Sequence, residues 1–234
     1  MENTCGNNLT SGWKQAWRMG LALLAALALA HGAAQASEVC GEPDAAGIRQ
    51  CSTGLDAAQI LHMGASQEKS QWCWAASIAM VFSHHGFSVT QEDIVRKEYA
   101  DGADKPLAAT QVAPVLQRAW QDSGGRSFFA SVTAGDAPRR RFLFNDDTVI
   151  RELQAQRPLI VGALGHAMVL VQVQYQRFTV QDAVRIVGGV VIDPTPGKGV
   201  RQLTRLELNP TYVAAVQVAA PQQLAAAQAA TTMR

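Results

Sequence analysis

Three well-separated stretches carry side chains that together can make and break an acyl bond. The first is Gln67-Glu-Lys-Ser-Gln-Trp-Cys73-Trp-Ala-Ala-Ser77, a polar loop running into the apolar Ile78-Ala-Met-Val-Phe82. This pattern predicts that Cys73 stands in the first turn of a buried helix. Unpaired N–H groups and the positive end of the helix dipole favour an anion there, so a thiol at that place ionises more readily. The second stretch, Gly165-His166-Ala-Met-Val-Leu-Val171, sets a histidine at the mouth of a β-prone run, and the third, Gly188-Gly-Val-Val-Ile-Asp193-Pro194, ends another such run in a carboxylate. A thiolate that attacks a carbonyl, an imidazole that moves the proton and a third group that fixes the imidazole tautomer make up acyl-transfer chemistry. Each alone has a plainer meaning: a cysteine in an apolar helix is ordinarily packing, and Asp-Pro is ordinarily a turn. Their proximity cannot be read from sequence.

The segment from Gln67 to Ser77 resembles the active-site segment of papain-like cysteine peptidases, in particular their compact bacterial, C39-like branch. There a glutamine precedes a Cys-Trp-Ala-Ala-type helix start by six residues, a spacing that selects Gln67. The order of a cysteine, a histidine about ninety residues on, and an Asp or Asn at the next strand end is similar to that family too. The resemblance spans roughly Gln67 to Val218. It implies an α+β, papain-like fold in which a helical layer carrying the nucleophile packs against an antiparallel sheet. It also implies Cys73, His166 and Asp193 as catalytic residues, with the Gln67 amide and the Cys73 N–H as donors to the developing oxyanion. No cofactor or metal is implied, and the substrate would be a peptide or protein. Gln71, two residues from the cysteine, is the competitor for the donor role, its plainer reading being a solvated loop side chain. Two other functions stay open: a related thiol acyl-transfer enzyme, such as a cell-wall amidase or deamidase, and a binding module that has the fold without the activity.

The rest of the chain must position and deliver these groups. Its 234 residues suit one domain with appendages, a hydrophobic content of 48% is ample for a core, and a formal net charge of +1 points to neither nucleic acid nor a membrane surface. Lys14 and Arg18 precede the apolar run Leu21 to Ala30, and Ala34-Gln-Ala36 offers a small-residue cleavage site. Residues 1–36 are therefore expected to be a signal peptide, the run being shorter than the ~20 residues a spanning helix needs. Export, to the periplasm or the medium, would remove Cys5 and leave no stable membrane anchor. In an oxidising compartment Cys40 and Cys51 are then expected to be bridged, with both free in a flexible leader as the alternative, and Cys73 is left as the odd, reactive thiol. Residues 37–66 are expected as an N-terminal extension, 67–220 as the peptidase-like domain and 221–234 as a low-complexity tail.

Within the domain, a helix is predicted from Cys73 to about His85, stopped by Gly86. Thr90-Gln-Glu-Asp93 should cap a second helix, and a third is expected after Thr110 with Val112, Val115, Leu116 and Trp120 on its core face and Pro114 in its first turn. Arg126 to Val132 is a candidate strand, and Asn145-Asp-Asp147 should cap a short helix through Val149, Ile150 and Leu153. Leu159–Val161, Ala167–Val173, Val184–Ile192 and Val200–Leu208 read as strands. Helices followed by strands indicate α+β. His84 and His85 lie about 16 Å along the helix from Cys73 at 1.5 Å per residue, too far to share an ion with it, and are expected as the polar end of that helix. His62 has no evident partner, Trp72 and Trp74 are expected in the core, and Arg139-Arg-Arg141 reads as a solvated basic loop.

Overall fold

The computed structural model describes residues 38–136 and 146–219. The expected signal peptide, Cys5, the Arg139–Arg141 run, Asn145 and the tail lie outside the described residues. Among the described residues no helix is long and apolar enough to cross a membrane.

Among the described residues, nine strands form one sheet whose pairings are all antiparallel. The first two are β1, Val39–Cys40, and β2, Ile48–Gly54. Helix α1, Ala57–Met63, opens with a capping box in which the Asp56 carboxylate accepts from Gln59 N–H and the Gln59 side chain accepts from Asp56 N–H. Thus the stretch expected to be an extension ahead of the domain is built into it: β2 pairs with a later strand over seven residues, and Leu55 and Met63 are buried.

Helix α2, Cys73–His84, is the central helix. Eight of its twelve residues are buried, so it is apolar around most of its circumference, as a helix enclosed by other layers must be. Phe82 meets Trp120 and Phe128 edge-on at 5.0 Å. Gly86, at φ 80°, ends the helix in the left-handed conformation, and Phe87 N–H reaches back to the Phe82 carbonyl. Helix α3, Gln91–Arg96, begins where expected, with Thr90 Oγ1 accepting from Asp93 N–H.

Helix α4, Ala109–Leu116, is shorter than the pattern suggested. Pro114 is its sixth residue, not in its first turn, and Trp120 lies on strand β3, Arg118–Gln121. The buried Trp120 indole N–H donates to the Leu116 carbonyl, closing the helix end from the following strand. A spacing of four from Leu116 is common to both readings, so periodicity alone could not separate them.

The second half supplies β4, Ser127–Asp136, helix α5, Asp146–Gln154, and strands β5, Leu159–Ala163, β6, His166–Phe178, β7, Ala183–Asp193, β8, Gly199–Gln202, and β9, Tyr212–Ala219. The strand expected over Val200–Leu208 stops at Gln202, where the chain turns. Strand β9, diluted by alanines, was not expected; it lies between β5 and β4, its residues Tyr212–Val216 buried. Strand β6 organises the sheet: β5 pairs with its first half, β2 with its second, and β7 along most of its length. The result is the expected α+β arrangement of helices against an antiparallel sheet.

Candidate active site

Cys73 is the first residue of α2, half-buried and the free thiol among the described cysteines; Cys40 and Cys51, directly opposite each other on β1 and β2, are bridged. The loop before it is held from several sides. Trp72 and Trp74 are buried, and their indole N–H groups donate to the carbonyls of Ala103 and Lys105. Asp104 accepts from the Ser70 hydroxyl and Gln71 N–H, each at 2.8 Å. The buried Gln91 side chain clamps Ser66 and Glu68 by their backbone groups. These contacts leave the loop little freedom, so Cys73 is presented in one place.

His166 opens β6 after a two-residue turn, Leu164-Gly165, both at positive φ (53° and 78°). This is the geometry of a tight hairpin, and glycine suits its second position. Asp193 ends β7. The register Val169↔Ile192 puts Met168 opposite Asp193 at the next step, and by strand alternation His166 shares that face. His166 Nε2 stands 2.7 Å from Asp193 Oδ1, which leaves Nδ1 to meet the Cys73 thiol, and the two side chains are hydrogen-bonded. The structure therefore brings together three groups that lie far apart in sequence.

The electrostatics favour a thiolate facing an imidazolium. Burial opposes ionisation of Cys73, but His166 and the N–H groups of Ala167 and Trp74 outweigh it and hold the thiol below its usual range. The His166 ring is raised by Cys73 and by Asp193, against the cost of its burial. Burial likewise pushes the Asp193 carboxyl up, yet Thr195 N–H, His166 and Arg201 hold it at about 2. Each charge is stabilised by its neighbours.

Gln67 is tied to the same place: its backbone N–H donates to the Pro194 carbonyl at 2.8 Å, one residue beyond Asp193. Its side-chain amide donates to Lys69 O at 3.0 Å and Ser70 O at 2.8 Å, while its Oε1 is buried without a partner. Gln71 is exposed, and its backbone N–H is the one held by Asp104. Cys73 N–H, in the first turn, has no intrahelical acceptor.

The remaining candidates lie elsewhere. His84 Nε2 is 2.7 Å from the Gln156 carbonyl, and His85 is hydrogen-bonded to the Val216 carbonyl. They are packed against α5 and β9, not left as a solvated helix end, and burial lowers both, His85 to about 4. His62 is exposed. Glu38, Cys40 and Cys51 have ligand atoms within 4.8 Å of one another, but the bridged sulfurs offer no thiolate to an ion.

Four groups at the site escaped sequence reasoning. Thr195 gives its N–H to Asp193 and its hydroxyl lies 3.3 Å from His166 Nε2. Ala167 N–H faces the Cys73 sulfur. Arg201 bonds the far oxygen of Asp193. Tyr212, buried against Gly162, has a hydroxyl whose ionisation is opposed by burial and by the charge on Cys73. The one available signal was an arginine among β-prone residues six positions before Glu207, in a run that read as a single strand.

Comparison with known proteins bears on the same region. No curated protein matches the chain. Among solved structures, the peptidase domain of Streptococcus ComA, a bi-functional ABC transporter involved in a quorum sensing pathway, is similar over 68% of this chain and 98% of its own, at 16% identity and a TM-score of 0.43. The model of the Peptidase_C39 like family matches residues 59–203, more than half of the chain and a span that takes in Cys73, His166 and Asp193. The chain therefore belongs to the Peptidase_C39 like family and is a cysteine-type peptidase.

Proposed function

We propose that the protein hydrolyses peptide bonds with Cys73 as nucleophile, His166 as general base and acid, and Asp193 as the group that orients the imidazole. The observation that carries this reading is the unbroken hydrogen-bonded series from the Cys73 thiol through His166 to Asp193. In the first step Cys73 Sγ attacks the substrate carbonyl carbon and the carbonyl electron pair moves to oxygen. The tetrahedral species collapses as the imidazolium proton passes to the leaving amine, giving a thioester. Water, deprotonated by His166, then attacks the thioester, and the thiolate departs with the carboxylic acid released. The Cys73 N–H and the Gln67 amide donate to the oxyanion. For Gln67 this requires one amide hydrogen to leave Lys69 O or Ser70 O as substrate enters.

The test is labelling by a thiol-directed peptide electrophile at neutral pH. Wild-type protein should be modified at Cys73, and Cys73→Ala should take no label. Release of peptides from a protein substrate, as against ammonia or cell-wall fragments, distinguishes a peptidase from a deamidase or amidase on the same machinery. An unlabelled wild-type protein would sink the assignment.

We further propose that the protein acts after export, to the periplasm or the medium. Support comes from the basic and apolar leader with its Ala34-Gln-Ala36 site, and from the Cys40–Cys51 bridge beside a free Cys73. The exported chain should begin near Ser37. N-terminal sequencing that finds an uncleaved chain, or mass mapping that finds Cys73 bridged, contradicts this.

A further inference from the structure

We propose that Arg201 is a positioning residue for the Cys73–His166 pair, its guanidinium fixing the Asp193 carboxylate in the orientation that the imidazole needs. This rests on the nucleophile assignment above and extends it by one residue.

The geometry is over-determined. Asp193 is buried, its side chain 5% exposed, and both of its oxygens are committed. Oδ1 accepts from His166 Nε2 at 2.7 Å and Thr195 N–H at 2.9 Å, and Oδ2 accepts from Arg201 Nε at 2.8 Å. With one oxygen held from behind, the carboxylate cannot rotate away from the ring without breaking a charge-assisted bond. Arg201 is itself immobilised. Its Nη1 donates to Glu207 Oε2 at 2.9 Å and to the Gln202 carbonyl at 3.0 Å. Its Nη2 donates to Glu207 Oε1 at 2.7 Å and lies 3.0 Å from Met168 Sδ. A guanidinium has five N–H donors, and all five have acceptors here. Glu207 is fixed in turn by Thr204 N–H at 2.7 Å. A solvated surface pair, worth little and free to exchange partners, looks different.

The chain of charges then reads Cys73, His166, Asp193, Arg201, Glu207, alternating in sign when the first two form an ion pair. Removing Arg201 leaves the buried Asp193 and Glu207 carboxylates without the cation they share. The Asp193 carboxyl would take up a proton at higher pH, by roughly 1–3 units on losing an adjacent cation. Once protonated it still accepts from the ring but no longer offsets its charge, so the balance shifts from the ion pair towards thiol and imidazole. The acid limb of Cys73 reactivity should therefore move towards neutrality.

The experiment is the rate of Cys73 labelling by the peptide electrophile from pH 4 to 9, with thermal melting, for wild type, Arg201→Met, Arg201→Lys and Glu207→Gln. In Arg201→Met the acid limb should move to higher pH. Arg201→Lys, which keeps a cation but not the fork, should move it less and in the same direction. Glu207→Gln should lower the melting temperature yet leave the limb in place, because the Arg201–Asp193 bond survives. A limb unchanged in Arg201→Met overturns the proposal, as does one displaced equally by Glu207→Gln, which would make the ion pairs a brace for the fold alone. Should Arg201→Met fail to fold, Arg201→Lys decides by the same criterion. Wild-type protein that takes no label at Cys73 overturns the nucleophile assignment and this proposal together, whereas labelled wild type with unshifted variants overturns this proposal alone.

Discussion

Replacing Gln67 by alanine should separate stability from turnover, and the structure allows both sides to be worked. The amide gives two hydrogen bonds, to Lys69 O and Ser70 O, in a partly exposed loop; each contributes about 1 kcal/mol. Against that, Oε1 is buried without a partner, and its removal relieves a desolvation cost of about 1–3 kcal/mol. The two effects offset, so Gln67→Ala should change the unfolding free energy by no more than about 1 kcal/mol. The Gln67–Pro194 bond, made through the backbone, is retained. On the proposed donor role turnover should fall far more, since loss of one oxyanion donor costs about 10²–10³-fold, or about 2.7–4 kcal/mol of transition-state stabilisation. Labelling of Cys73 should stay close to wild type because the thiolate and His166 are untouched. Gln67→Glu sharpens the test: it keeps the size, cannot donate, and turns a carboxylate towards two carbonyl oxygens. It should match alanine in turnover and be less stable. The assays are peptide turnover, denaturant unfolding and electrophile labelling on the same preparations. Turnover within threefold of wild type in Gln67→Ala, or a crippled Gln71→Ala beside a healthy Gln67→Ala, would refute the reasoning and give the donor role to the other glutamine.

On the proposed roles His166→Ala should come close to Cys73→Ala in peptide turnover, since a nucleophile and its base act as a unit, whereas Asp193→Asn should cost less because asparagine still accepts from the imidazole; an Asp193→Asn loss equal to that of Cys73→Ala contradicts these roles. His85 is buried in its neutral form, with a folded value of about 4 against 6.5. The unfolded chain binds the extra proton between those values, so stability should be full above about pH 6.5 and fall on acidification towards pH 4. A gap of 2.5 units, at about 1.4 kcal/mol each, puts that loss at about 3 kcal/mol. His85→Phe should flatten the urea midpoint across this window, and an unchanged slope would show that the ring is not the cause. The Cys40–Cys51 bridge closes a loop with a sequence separation of 11. Replacing both by serine should cost about 3 kcal/mol in chain entropy, and an unfolding free energy within 1 kcal/mol of the bridged protein would mean that the β1–β2 pairing needs no staple.

The parts of this protein legible in its sequence are those decided within a few residues. The start of α2 at Cys73 follows from a polar loop meeting an apolar run, its stop from a glycine that alone adopts positive φ at no cost, and the start of α3 from the Thr90 cap. His166 at the mouth of one strand and Asp193 at the end of another follow from β-branched runs bounded by Gly and Pro. Trp120 marks the limit of such reasoning, because helix and strand both bring it to the core and only the pairing of β3 with β4 chooses between them. The same holds for β2, whose place in the sheet depends on β6, more than a hundred residues later. Sequence by itself thus determined the chemistry on offer: a thiol at a helix start, an imidazole and a carboxylate at strand ends. Tertiary structure alone decided that these meet, that Arg201 and Thr195 fix the carboxylate, and that Gln67 is fastened to the strand end beside it. Capping and periodicity are local energies written in neighbouring residues, whereas strand register and ion-pair geometry exist only after distant segments have closed on one another.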